Sequence, residues 1–315
     1  MKNILIIGGN GYIGSRLQSF FKDNQSITTV DLNLFGEINN TSNNILLDYD
    51  KLDLDFISKF THIILLAGHS SVRMCDLYPI SVFNNNVRNF INLVDKINDN
   101  QTLIYAGSGS VYGNCKKEIA DETYVFDEPH NMYDLTKQMI DQYYLTSKIN
   151  KRIFGLRFGT VNGFSPHLRN DVMLNAMTYS GWKSNKVLLF NETTKRSILG
   201  IQDLVNAVQA IIDSNISYGG IYNLASFTKT SGEMAEIVTK KINCNLEKII
   251  PEEIDTSKMN EKLVSSKYDF ALSCDKFIKD FGFTFKETAD SIIDELCANK
   301  DKMLFTNRNT PYKYM

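Results

Sequence analysis

Tyr133 and Lys137 stand four residues apart in the amphipathic stretch 131–149, so a phenol and an ammonium project from one helical face toward the same point. A phenol with a pKa near 10 is only about 0.1% ionised at pH 7, and making it a base means lowering that value by about three units, about 4 kcal/mol. A neighbouring cation supplies part of that stabilisation. Ser108 follows the apolar run 102–106, inside Tyr105-Ala106-Gly107-Ser108-Gly109-Ser110-Val111-Tyr112-Gly113. Together the three groups describe one reaction: Tyr133 takes the proton of an alcohol while hydride leaves the same carbon, and Ser108 holds the oxygen. Were Lys137 only a solvated helix charge, Tyr133 would be inert.

Hydride needs an acceptor, and the amino-terminal end of the chain is suited to hold one. Gly8-Gly9-Asn10-Gly11-Tyr12-Ile13-Gly14 follows an apolar run and opens a helical pattern. Gly8, Gly11 and Gly14 let the backbone turn tightly and approach a pyrophosphate, which then rests on free amides at a helix start; Tyr12 and Ile13 lie in the same turn. Asp31 ends the next apolar run, where an acid accepts both ribose hydroxyls and repels a 2′-phosphate, favouring NAD over NADP. Asp48 and Tyr49, after a third run, are placed against the adenine.

These groups need elements to position them. Short apolar runs at 3–7, 26–30, 44–47, 62–67, 102–106 and 152–157 alternate with amphipathic stretches, which predicts a parallel, doubly wound α/β sheet of Rossmann type. The longest amphipathic stretches, 80–97 and 131–149, are expected to pack as neighbours on the face of a homodimer. Beyond about 163 the pattern loosens, with helices expected at 171–179, 201–214, 231–242 and 289–299 and a strand at 186–190. The expected division is a NAD-binding domain at 1–165, with 197–225 returning to it, and a smaller mixed α/β substrate region at 166–315. The stretch 39–44 reads as a surface loop and 305–315 as a frayed or docked tail.

Composition bounds the partners. The 315 residues are 43% hydrophobic and 22% charged with a formal net charge of -2, so a packed core is affordable and no field favours nucleic acid. Cys75, Cys115, Cys244, Cys274 and Cys297 are scattered and odd in number, and four histidines show no helical pairing. No metal site or disulfide framework is expected, and the setting reads as reducing and cytoplasmic. No apolar run approaches the length of a membrane span.

The motifs recur in a familiar order: the glycine loop, Leu66-Ala67-Gly68, Asn85-Asn86-Val87, Ser108 with Val111-Tyr112-Gly113, Tyr133 with Lys137, and Leu156-Arg157-Phe158. This order resembles the extended short-chain dehydrogenase/reductases, the NAD-dependent nucleotide-sugar epimerases and dehydratases, over roughly residues 3 to 205. The resemblance implies a nucleotide-diphosphate sugar as substrate, with Leu66, Ala67, Gly68 and Asn85 against the cofactor. It implies Arg196 as the grip on the diphosphate, a role suited to a planar guanidinium. Ser70, Ser71, Arg73, Gly109, Ser110, Thr160, Arg169 and Asn175 are further candidate substrate contacts. His69 reads as a loop residue, Met173, Met177 and Trp182 as core or cleft wall, and Asp203 as structural.

What is missing narrows the reaction. The family's 4,6-dehydratases carry an Asp-Glu pair where Gly109 and Ser110 stand, and members that epimerise at carbons 3 and 5 carry a cysteine at Ser110. The resemblance therefore implies hydride chemistry at C4 alone. Net oxidation to a 4-keto sugar is the first expectation, with GDP-heptose suggested by likeness to capsule-synthesis oxidases. A 4-epimerase that recycles its NADH is the alternative. A noncatalytic dinucleotide sensor needs none of Ser108, Tyr133 and Lys137.

Overall fold

The computed structural model describes residues 2–37, 43–249, 268–302 and 304–305. Seven strands form one parallel sheet: β1 (Asn3–Ile7), β2 (Ser26–Asp31), β3 (Asn44–Leu46), β4 (His62–Leu65), β5 (Thr102–Ser108), β6 (Arg152–Phe158) and β7 (Gly220–Leu224). Their spatial order is β3-β2-β1-β4-β5-β6-β7. The runs are apolar on both sides because helices cover both faces. Ile4, Ile6, Ile64, Ile104, Phe154 and Leu156 pack with Leu17 and Phe21 of the helix Tyr12–Phe21 and Leu204, Val208 and Ile211 of the helix Ile201–Asp213. The alternate residues Leu5, Ile7, Ile63, Leu65, Leu103 and Ile153 pack with Phe90, Leu93, Val94 and Ile140 on the other face. Strand order reverses between β1 and β4, and a crevice opens there beyond the strands' carboxyl ends.

The stretch 80–97 is not the single helix its pattern predicts. It divides into Pro79–Phe83, a π-helical turn Asn84–Arg88, and Asn89–Lys96. The wide turn has a local use: Asn86 accepts from the His69 amide at 2.9 Å and donates to the His69 carbonyl at 3.1 Å and to Thr136 Oγ1 at 3.2 Å. The stretch 131–149 is the helix Met132–Thr146, whose amide at Asp134 is capped by Asn131.

The remaining chain builds a smaller lobe. Lys195–Gly200 pairs in parallel with Thr160–Asn162 and antiparallel with Phe227–Thr230. Lys186–Leu189 pairs with Asn245–Lys248, and Asn114–Ala120 with Asp269–Leu272. The helices Met173–Ser184, Ser231–Ile242 and Ala289–Ala298 enclose its core, with Met173, Met177 and Trp182 packed at the margin. Asp203 is buried and braces this region, accepting from the Lys286 and Glu287 amides and from Ser226. Residues 39–42 of the expected loop and 306–315 of the expected tail lie outside the described residues; Leu304–Phe305 pairs with His167–Leu168. Among the described residues no helix is long and apolar enough to cross a membrane.

Candidate active site

The glycine loop is held by steric necessity. Gly8 has φ +90°, and a Cβ there would lie 2.5 Å from the Ala67 amide nitrogen; one at Gly14 would lie 2.2 Å from the Gly8 carbonyl oxygen. The helix behind them starts at Tyr12 with no side-chain cap and no acidic residue in its first turn. Its leading residues Gly11, Tyr12, Ile13 and Gly14 line the cleft with Gly8, an arrangement that suits an anion. The Tyr12 hydroxyl itself turns inward and donates to the Gly163 carbonyl at 2.7 Å, tying the loop to the smaller lobe.

Asp31 lines the cleft and accepts from the Asn10 amide and the Asn33 amide, each at 2.8 Å. Burial raises its carboxyl above the usual carboxylate range, opposed by these amides. Asp48 caps the turn Tyr49–Lys51, and the Tyr49 hydroxyl donates to the Asn85 carbonyl. Asp48, Tyr49, Leu66, Ala67, Gly68, Ser70 and Asn85 all line the same cleft. The Asn85 side-chain oxygen is buried and makes no hydrogen bond among the described residues. An orphaned acceptor, a close-approach glycine loop and an acid at the end of β2 together fit a dinucleotide.

Ser108, Tyr133 and Lys137 converge at the carboxyl end of β5. Tyr133 hydrogen-bonds Ser108. The Lys137 ammonium donates to the Ala106 carbonyl at 2.5 Å and lies 5.8 Å from the centre of the Tyr133 ring. Burial pushes Lys137 down to about 8, against the field of Asp141. Burial also raises the Tyr133 phenol, opposed by the Ser108 hydrogen bond and the Arg169 guanidinium. In the protein alone, Lys137 thus orients the phenol, while the fields that lower its pKa come from Ser108 and Arg169. His69 also lines the cleft, but burial lowers it to about 4, so its ring is neutral and shared with Ser81 at 3.2 Å.

The candidate substrate contacts separate into two groups. Ser70, Ser108, Ser110, Thr160, Arg169 and Arg196 line the cleft. Arg169 is gripped by Asp171 through two contacts of 2.9 and 3.0 Å. Arg196 stands 5.8 Å from both the Tyr268 and Phe270 ring centres, and burial lowers it to about 10. The other group lies off the cleft wall. Ser71 is buried at the N-cap position of the helix Val72–Leu77, with no side-chain cap bond, and Arg73 is exposed on that helix. Gly109 is packed so closely that a Cβ would lie 2.9 Å from Leu272 Cδ1. Asn175 is spent on structure: it accepts from the Gly163 amide at 3.0 Å and donates to Tyr12 Oη at 3.2 Å and the Arg169 carbonyl at 2.9 Å.

Two polar residues of the site escaped the sequence reading. Asp134, buried beside Tyr133, accepts from Ser110 Oγ at 2.7 Å, and Tyr268 donates to the same carboxylate. A carboxylate on the inward face of an amphipathic helix was a usable signal for Asp134. Tyr268 had none, being brought in from a distant strand.

Residues 4–225 match the NAD dependent epimerase/dehydratase family. The chain is 25% identical to UDP-glucuronate 4-epimerase 4 of Arabidopsis thaliana over 238 residues, 67% of this chain and 54% of that protein. It thus spans about half the length of this plant relative. It is 28% identical to Protein CapI of Staphylococcus aureus over 232 residues, 66% of this chain and 69% of that protein. Among solved structures, MoeE5 in complex with UDP-glucuronic acid and NAD shares the fold, with a TM-score of 0.79 at 17% identity over 93% of this chain and 97% of that one. The matched segment carries the glycine loop, Ser108, Tyr133 and Lys137 on one cleft, and the chain belongs to the NAD dependent epimerase/dehydratase family.

Proposed function

We propose that this protein oxidises the C4 hydroxyl of a nucleotide-diphosphate sugar to a 4-keto sugar. The observation that carries the reading is the convergence of Ser108, Tyr133 and Lys137 where the cofactor end of the cleft meets two guanidiniums, Arg169 and Arg196. Gly8, Gly11, Gly14, Asp31 and Asn85 are the residues that would hold NAD, which supplies the hydride acceptor when bound. Tyr133 takes the hydroxyl proton, Ser108 fixes the oxygen, and Lys137, anchored on the Ala106 carbonyl, holds positive charge below the ring. Arg196, within 5.8 Å of the Tyr268 and Phe270 ring centres, suits the diphosphate, since a planar guanidinium meets paired phosphate oxygens.

A second reading, inversion at C4 with hydride returned to the opposite face, uses the same residues. It is favoured by relatives named as UDP-glucuronate 4-epimerases. The test is a panel of UDP-, GDP- and dTDP-sugars, including GDP-heptose and UDP-glucuronic acid, analysed by mass spectrometry and NMR in deuterated water. Loss of two hydrogens marks the keto sugar; unchanged mass with altered ring couplings marks the epimer. Deuterium at carbon 3 or 5 contradicts hydride-only chemistry, and full turnover by Tyr133→Phe sinks both readings.

We also place a homodimer interface on the outer faces of the segments 79–96 and 132–146. Ile80 is 79% exposed and Leu145 53%, with Leu77 and Phe83 beside them, an apolar surface that pairing would cover. A cytoplasmic location completes the reading and fits the free thiols of all five cysteines.

A further inference from the structure

A buried carboxylate next to Tyr133 has no part in the mechanism above. Asp134 is 2% exposed and lines the cleft. Its Oδ2 accepts from Asn131 Nδ2 at 2.7 Å and from the Tyr268 hydroxyl, while Oδ1 accepts from the Ser110 hydroxyl at 2.7 Å. Ser110 Oγ lies 2.8 Å from Ser108 Oγ, and Ser108 Oγ also accepts from the Ser110 amide at 3.2 Å. Ser108 in turn hydrogen-bonds Tyr133. Four side chains thus form one unbroken line from the reacting oxygen to a carboxylate.

Each hydroxyl in that line has a single proton, which fixes its polarity. With Asp134 ionised, the Ser110 proton is committed to Oδ1, so the contact between the serines exists only if Ser108 donates. Ser108 then offers Tyr133 and the sugar oxygen a lone pair. With Asp134 protonated, the proton must sit on Oδ1, because Oδ2 already receives two donors. Asp134 then donates to Ser110, Ser110 to Ser108, and Ser108 donates outward. The first state suits a substrate alcohol, the second a ketone.

Resting on the assignment of Ser108 and Tyr133 as the alcohol-oxidising pair, we propose that Asp134 is a positioning residue that sets the direction of the Ser108 hydrogen bond through Ser110. The proton count closes over one oxidation. The C–H bond breaks with its electron pair leaving as hydride to NAD, and the sugar O–H proton passes to the Tyr133 phenolate. Tyr133 keeps that proton until the product leaves, and Asp134, ionised throughout, holds the Ser110 proton so that Ser108 points toward Ser110. Charged or titratable groups face Asp134 from each side: Tyr133 on its own helix, His130 before it, and Tyr268 with Arg196 behind its ring. Burial holds the Asp134 carboxyl above the usual carboxylate range, against the bonds from Tyr268, Ser110 and Asn131.

The test reads Tyr133 itself. The phenolate is titrated by ultraviolet difference absorbance of the full chain against Tyr133→Phe, with and without NAD. Across that titration wild-type Asp134 is ionised, and Ser108 divides its proton between Ser110 and the phenolate. Ser110→Ala frees Ser108 to donate to it, and Asp134→Asn does so while also removing a negative charge. Both variants lower the Tyr133 midpoint by about one pH unit, Asp134→Asn by at least as much as Ser110→Ala. Ser110→Thr, which keeps the hydroxyl, retains the wild-type midpoint. In turnover assays the acid limb of kcat/KM, set by protonation of Tyr133, moves down in Asp134→Asn by the same amount as the Tyr133 midpoint. Unmoved midpoints in Ser110→Ala and Asp134→Asn overturn the proposal, and Ser110→Ala decides alone if Asp134→Asn does not fold. Midpoints that fall in a protein turning over no nucleotide sugar reject the proposed function and leave this inference standing.

Discussion

Asp141→Asn is expected to damage both stability and the alkaline side of activity, for reasons worked from one buried pair. Asp141 and Arg157 are 0% and 1% exposed, with Oδ2 2.7 Å from Nε. The Tyr105 hydroxyl donates to Oδ1 at 2.9 Å, and the guanidinium also donates to Tyr112 Oη at 2.6 Å. The amide retains one acceptor but leaves Arg157 as a buried charge without its counter-ion, a change that costs about 3–5 kcal/mol. Because the Tyr105 bond survives, the lower end applies. For a chain of this size about 3 kcal/mol corresponds to a fall in Tm of roughly 4–5 °C. Urea unfolding followed by circular dichroism should show a lower midpoint with an unchanged slope. Asp141 also sits one turn beyond Lys137 and opposes the burial that lowers it to about 8. In the variant Lys137 falls further and loses its proton at lower pH, so the alkaline limb of kcat/KM moves toward neutrality. A loss below about 1 kcal/mol, or an Asp141→Leu, Arg157→Met double variant no more stable than Asp141→Asn, would refute the reasoning.

Gly14→Ala places a methyl carbon 2.2 Å from one carbonyl oxygen and 2.6 Å from the next; NAD affinity by fluorescence should fall more than about tenfold while far-ultraviolet circular dichroism stays unchanged. Asp31→Asn removes the charge that excludes a 2′-phosphate, and the preference for NAD over NADP should drop by about tenfold; an unchanged ratio removes Asp31 from the ribose site. Ile80→Asp puts a charge on the apolar outer face of the segment 79–96 and should convert a dimer to monomer in sedimentation velocity, with turnover per site as its control.

The legible parts of this molecule are those in which neighbours in sequence are neighbours in space. Gly8 to Gly14 form a turn that runs straight into a helix, and Tyr133 and Lys137 share one helical face, so the spacing carries the geometry. The central strands announce themselves as apolar runs because both their faces are buried. The expected helix at 80–97 failed since its periodicity does not record the extra residue that a π-helical turn inserts at Asn84–Arg88. Asn175 and Gly109 failed for another reason: proximity to the site in sequence is compatible with a side chain consumed by backbone amides or a position closed by packing. Asp134 and Tyr268 meet only because Asp269–Leu272 pairs with Asn114–Ala120, a contact between distant short strands that no local pattern encodes.

The seventh strand has a consequence for the order in which the chain is made. Gly220 to Leu224 lie alongside Phe154 to Phe158, yet the whole of 160–213 is synthesised between them. At ribosomal speeds of ~5–20 residues per second the edge of β6 stays bare for several seconds after it emerges, a period in which a stray strand can pair with it. A chain cut at 165 carries that edge permanently and should aggregate rather than yield a free dinucleotide-binding half. For the same reason, grafting a foreign recognition lobe onto this sheet at one junction must fail. A successful exchange has to enter after β6 and hand the chain back before the helix Ile201–Asp213 and β7, which keep the sheet closed.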